Sequence, residues 1–348
     1  MSGVFSRAAR IVLILAGALA VFAVWVATAS VNSGITFFLC LPVGLAAWWF
    51  GLRAGLAAAT GCIALFALGD ALNPVPEFGL SIVIRAAFFL AAAASFSWLA
   101  GRMRKLEHSA EELDAIRAAL APADLPDLPG VDAAATFVPS ELGVSGDFYL
   151  LTNGPDGSTV AIVGDVVGHG PAAARLATFV RARFAALAAG TSDPAELLML
   201  VNTALTDRPA RERKLVTAVC VRLGPGEGKL SWARAGHPPP LSLPELSELR
   251  GDGATFLLGA QRRLELRNSD AALRGSEGLV IYTDGATDVS QGRQMLGLEG
   301  LRRALAPLTG LRARVIAQEI ERAILAWADR PIRDDLCLVV LKPEAGER

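Results

Sequence analysis

The hydrophobic pattern changes about a hundred residues into the chain. Before that point apolar positions run together: "IVLILAGALAVFAVWVATAS" (11–30), "GITFFLCLPVGLAAWWFG" (34–51), "AGLAAATGCIALFALG" (54–69) and "LSIVIRAAFFLAAAASFSWLAG" (80–101). A bilayer core takes about 20 apolar residues in a helix, so these runs predict four membrane helices, the third short for a span. The first run is too long for a signal peptide, has no clear small-residue cleavage site, and is followed by more apolar segments. "RMRKLEHSAEELDAIRAALAP" (102–122) then continues as a charged helix. Leu106, Leu113, Ile116 and Leu120 fall on it at spacings of seven, three and four, a short heptad-like seam that reads as a dimerising rod or as a solvated stalk. The prolines of "PADLPDLPG" (122–130) break it.

Past residue 131 short apolar runs alternate with amphipathic ones. Strands are expected at 132–138, 146–152, 158–165, 215–223, 229–235, 278–283 and 335–341, and helices at 171–189, 194–206, 297–307 and 312–328. Such blocks suggest a layered α+β domain. The organisation is then a transmembrane domain over 1–101, a helical linker over 102–125 and a cytoplasmic domain over 126–342.

Charge orients the membrane part. Arg7 and Arg10 precede the first span, Arg53 separates the second from the third, and Arg102, Arg104 and Lys105 follow the fourth. The other two connections carry no Lys or Arg, so the positive-inside rule puts both termini in the cytoplasm. The external loops are too short to form a folded sensor. Arg85, inside the fourth span, is read as snorkelling to the interface, and Trp48 and Trp49 as interfacial anchors. A formal net charge of −1 gives no basic surplus for nucleic acid. Cys40, Cys62, Cys220 and Cys337 sit singly in apolar runs, which speaks against zinc or a disulfide framework and fits a reducing compartment. His108 reads as an exposed helix histidine, because the glycine-rich ATP lid of a histidine kinase is missing downstream.

The acids of the second half carry the chemistry. Asp147 lies in "SGDFYLL", Asp165 ends the apolar run of "AIVGDVVGHGPAAA", Asp284 ends that of "LVIYTDGATD", and Asp334 and Asp335 open "DDLCLVVL". Each alone is an ordinary turn or strand-boundary residue. Together they repeat one arrangement, an apolar strand that meets a carboxylate beside a glycine or a second acid. If those strand ends converge, the result is an all-oxygen cluster whose charges repel strongly unless cations join them. Oxygen-only ligation suits Mg²⁺ or Mn²⁺.

"SGDFY", "GDVVGHGPAAA", "AGHPPPL", "YTDGATD" and "DDLCLVVL" occur in this order and resemble the successive motifs of the bacterial metal-dependent protein Ser/Thr phosphatases of the PPM superfamily, SpoIIE/RsbU branch. The resemblance covers about residues 110–342. It implies a β-sandwich of two sheets flanked by helices, and hydrolysis by a metal-activated water without a phosphoenzyme. By motif, Asp165 would bridge two Mn²⁺ or Mg²⁺ ions with the backbone carbonyl of Val166 as a further ligand. Asp284 and Asp334 would bind one metal and Asp147 would support the other. His169 is a turn former and at most a proton carrier, and His237 a structural residue near the site. The resemblance also implies a phosphorylated STAS-type anti-anti-sigma protein as substrate, a bacterial inner-membrane location with lipid contact, and, with the linker seam, a homodimer. Ser145 stands where the family has glycine, Leu150 where it has Asp, and Cys337 where it has Thr. None of these removes an expected ligand. The competing reading is a catalytically weak scaffold that binds partner-switching proteins; a nucleotide cyclase lacks its signature here.

Overall fold

Continuous apolar sequence folds as four helices in the first part of the chain. The computed structural model describes residues 6–28, 38–72, 78–120, 124–140, 146–209, 214–225, 228–251, 256–273 and 277–344. Helices α1 (Arg7–Thr28), α2 (Cys40–Phe50), α3 (Leu52–Leu72) and α4 (Phe78–Leu120) match the four apolar runs. Residues 7–24 and 82–108 are long and apolar enough to cross a membrane. Helix α2, with 11 residues, is only about 16 Å long.

Small residues let these helices approach. A Cβ on Gly55 would lie 2.6 Å from that of Ala47, and one on Gly44 would lie 3.0 Å from the Phe96 ring, so these glycines permit close helix approach. Large apolar side chains such as Leu15, Leu19, Val83, Ile84 and Phe96 are exposed on the outside. Arg85 departs from the expected snorkelling. It is buried, with its guanidinium carbon 4.4 Å from the centroid of the Phe66 ring, where the neighbouring helix offers it a π-face.

The chain divides into two compact units, Met1–Glu111 and Glu112–Arg348, and the division falls within α4. The helix runs unbroken from the last apolar segment through the charged linker, as its composition predicts. Leu106 is 59% exposed, but Ile116 and Leu120 are buried in the core of the second unit. The lower half of the expected seam is therefore internal packing of that unit; the side chain of Leu113 lies outside the described residues.

In the second unit β1 (Val131–Val138), β2 (Phe148–Asn153) and β3 (Thr159–Val166) precede α5 (Pro171–Ala188) and α6 (Pro194–Thr206). Then come β4 (Val216–Leu223), β5 (Lys229–Ala235), β6 (Leu241–Leu243), β7 (Ser269–Ala272), β8 (Gly278–Tyr282) and the hairpin β9 (Ser290–Gln291)–β10 (Gln294–Met295). Helices α7 (Gly297–Leu305) and α8 (Ala313–Trp327) and strand β11 (Leu336–Pro343) complete it. The long strands and helices fall where the alternation predicts them. The short β6, β7, β9 and β10 were not expected, since two to four residues carry too little periodicity to register.

Among the described residues one sheet has the order β1-β11-β8-β6 and the other β2-β3-β4-β5-β7, all antiparallel. Side chains alternate between the faces of a strand. In β3, Val160 and Ile162 pack under α5 and α6, while Ala161 and Val163 face the other sheet. In β11, Leu336, Leu338 and Val340 pack under α7 and α8, while Cys337, Val339 and Leu341 face inward. Two sheets thus share one apolar layer, and each carries helices on its outer face. This is the β-sandwich of two sheets flanked by helices that the resemblance implies.

Candidate metal and catalytic site

Strand parity gathers the acids. Asp165 continues the series Ala161–Val163, Asp147 the series Leu151–Tyr149, and Asp335 the series Val339–Cys337, so all three aim between the sheets at one end of the sandwich. The register pairs Phe148 with Gly164, which sets Asp147 opposite Asp165. On the other sheet the Thr283 N–H donates to the Cys337 carbonyl at 3.0 Å, and the Cys337 N–H donates to the Thr283 hydroxyl at 3.2 Å. That pairing carries Asp284 to the start of a 3₁₀ turn beside Asp334 and Asp335.

Glycines make the approach close. A Cβ on Gly146 would fall 2.3 Å from the Val166 carbonyl oxygen and 2.8 Å from Asp165 Oδ1, and one on Gly285 would fall 1.9 Å from the Asp335 carbonyl oxygen. The Val166 N–H donates to Gly146 at 3.2 Å. Gly168 and Gly170 take φ of +102° and +86°, which L side chains rarely adopt. Pro171 then opens α5 at the position where its missing N–H costs nothing. His169 is exposed on this turn.

Asp147 and Asp335 are buried, whereas Asp284 and Asp334 lie exposed at the mouth. Burial, then the charge of Asp165, holds the Asp147 carboxyl well above its usual range. Burial and then the charge of Asp284 push Asp165 up to about 7. Asp284 is raised by burial and then by Asp334. Asp334 is raised chiefly by burial, with Asp335 and Asp288 adding to it and His169 opposing it. Carboxylates that destabilise one another's charge, all facing one opening and kept free of side-chain bulk by Gly146, fit hard divalent cations. Among the described residues no three His, Cys, Asp or Glu side chains already enclose one point as a ligand set.

Two supporting residues carried weak signals in the sequence. Asp335 Oδ1 accepts the Ser140 N–H at 2.7 Å and so ties the segment before Asp147 to β11; the doubled Asp was its only mark. His237 is buried, its Nδ1 2.9 Å from the Thr217 hydroxyl and its Nε2 3.1 Å from the Tyr282 carbonyl. The carbonyl can only accept, so Nε2 carries the proton and Nδ1 receives the hydroxyl's. Thr217 pairs with Asp165 across the β3–β4 ladder, and Tyr282 lies two residues before Asp284. His237 therefore links β4, the ladder neighbour of the strand that carries Asp165, to β8, which leads to Asp284 on the opposite sheet.

Similarity to known proteins agrees with this geometry. The Stage II sporulation protein E (SpoIIE) family model matches residues 155–344, more than half of the chain. The SiaA PP2C domain of Pseudomonas aeruginosa superposes with a TM-score of 0.59 at 22% identity, over 70% of this chain and 99% of that domain. The RsbU and RsbW domains of a Mycobacterium tuberculosis protein give 0.56 at 24% identity, over 64% of this chain and 63% of theirs. The phosphatase domain and regulatory fragment of Bacillus subtilis SpoIIE give 0.50 at 17% identity, over 61% and 63%. Structural likeness at these identities speaks for the fold, and the family match speaks for the class of enzyme. The chain belongs to the SpoIIE family and is a metal-dependent protein serine/threonine phosphatase.

Proposed function

We propose that the protein is a membrane-anchored phosphatase that removes phosphate from a phosphoserine or phosphothreonine of a cytoplasmic STAS-type anti-anti-sigma protein. The observation that carries the reading is the set of strand-end acids facing one opening between the sheets, in a chain whose first unit is apolar on its outside. Asp165, with the Val166 carbonyl, would be shared by two ions; Asp284 and Asp334 would hold one of them and Asp147 would support the other. Two Mg²⁺ or Mn²⁺ ions bound there supply an acidified water and neutralise the phosphoryl charge. Asp335 and His237 hold the strands that carry the ligands, and His169, exposed on the turn, is available to pass a proton to solvent.

The domain assignment follows: a membrane domain over 1–101, a helical linker over 102–125 and the phosphatase over 126–342. Several observations support an inner-membrane topology with both termini cytoplasmic. Arg10 lies over the Trp49 ring at 5.7 Å, and Arg104 Nη1 donates to the Trp48 carbonyl at 3.1 Å. The start of α1, the end of α2 and the cationic turn of α4 thus meet at one end of the helical unit, where positive charge is retained inside. The exposed Leu106 is the described part of the linker seam available for a homodimer.

The test is hydrolysis of a phosphorylated STAS protein by the full chain in detergent. Activity should vanish with chelator and return with Mn²⁺ or Mg²⁺ but poorly with Zn²⁺, since the ligand set has no Cys or His. Asp165→Asn should abolish turnover and His169→Asn should cost less. An Asp165→Asn enzyme within about tenfold of wild type, about 1.4 kcal/mol of barrier, would remove the bridging role.

A further inference from the structure

A cleft of about 260 Å³ opens directly beside the acids, sharing Gly285 and Asp334 with them. One wall is the β9–β10 hairpin, with Ser290 and Met295; the other is the segment before β11, with Arg330 and Arg333. The walls are joined at the rim, where the Gly292 N–H donates to Asp329 Oδ2 at 2.7 Å. The base of the hairpin is held as well, by Leu296 N–H to the Val289 carbonyl at 2.8 Å and Gly297 N–H to the Thr287 carbonyl at 2.9 Å. This cleft is therefore a shaped feature with a fixed width.

Its charge is divided. Asp334 and Asp288 lie toward the carboxylate cluster, and both act on Asp284. Arg330 and Arg333 are exposed, and neither has an ion-pair or hydrogen-bonding partner among the described residues. Some other surface arginines of this unit are engaged, Arg222 with Asp156, Arg262 with Asp207 and Arg322 with Glu319, but of the described arginines only Arg330 and Arg333 line this cleft. Met295, 55% exposed on the facing wall, adds an adaptable apolar contact. Two free guanidiniums opposite a methionine, next to a phosphoester-hydrolysing centre, match a polypeptide that carries a carboxylate near its phosphorylated residue.

We infer that this cleft receives the segment flanking the phosphorylated residue and selects an acidic side chain there through Arg330 and Arg333. The inference rests on the proposed protein substrate and adds what that substrate must carry. Asp288 and Asp334 line the same cleft and repel that acidic side chain, so its place beside Arg330 and Arg333 is set by charge.

The experiment uses the full chain in detergent and two phosphoserine peptides of equal length, one with aspartates and one with lysines beside the phosphoserine. Wild type should favour the acidic peptide in kcat/KM, and Arg330→Glu should shift the ratio by about tenfold toward the basic one, as expected for exchanging an attractive pair for a repulsive one. The wild-type preference should shrink as salt rises. An unchanged ratio overturns the inference. So does an equal loss on both peptides, which would assign the arginine to the phosphate itself. If wild type hydrolyses neither peptide but does hydrolyse a small phosphoester, the protein-substrate reading fails by itself. Fluorescence anisotropy with labelled unphosphorylated versions then still reads the cleft: tighter binding of the acidic peptide, lost in Arg330→Glu, supports it, and equal binding of the two overturns it.

Discussion

His237 shows how a single side chain serves the site without taking part in the chemistry. Burial, assisted by the nearby Arg234 charge, lowers its pKa to about 3, and the Tyr282 carbonyl restores only part of the loss. The folded protein therefore holds it neutral while the unfolded chain protonates it below about 6.5. Between those values the unfolded state binds more protons, so the contribution of His237 to stability is complete above pH 6.5 and is lost as pH falls toward 3. The raised carboxyl of Asp165 acts oppositely in the absence of metal, losing stability as pH rises to about 7. Comparison with His237→Gln isolates the first effect. Acidification from pH 6.5 to 5 should cost the wild-type catalytic unit about 2 kcal/mol more than the variant in urea unfolding. Parallel pH curves would show that His237 is not held neutral.

At the scale of elements, α4 is the least expected part of the molecule. Its pattern reads as a separate linker, yet Ile116 and Leu120 are 9% and 1% exposed and pack with Phe148, Val166 and α5 in the core over the β2–β3 sheet. Burying an aliphatic side chain of this size is worth about 1.5–3 kcal/mol. A fragment starting at residue 121 should thus be less stable than one starting at 102 by about 3–5 kcal/mol, read from urea midpoints, and Ile116→Glu in the longer fragment should reproduce much of the loss. Equal midpoints would reduce the helix end to a tether. A periodicity argument sees the apolar face of a helix but not what fills it.

For the whole molecule, the proposed topology gives the apolar unit one cationic end and puts both termini in the cytoplasm. Reporter fusions at either terminus should both be active in the cytoplasm, and the protein should remain in the membrane pellet after alkaline carbonate; release into the supernatant, or a periplasmic C-terminus, would refute it. The sequence by itself determined a good deal. It set the long strands and helices of the second unit, because two- and 3.6-residue periods are local properties. It set the four apolar helices, because every backbone group of such a segment is satisfied within its own helix. It also set the identity of the acids, since each ends or begins an apolar strand. Tertiary structure alone decided the rest. Asp147 faces Asp165 only through the β2–β3 register, and the doubled Asp divides into a mouth residue and a buried one only through the parity of β11. His237 gains its role by touching strands from both sheets, and the arginine cleft exists only because a hairpin invisible to periodicity stands across from Arg330. All of these depend on contacts between residues far apart in the chain, and a pattern read along one dimension contains no term for them.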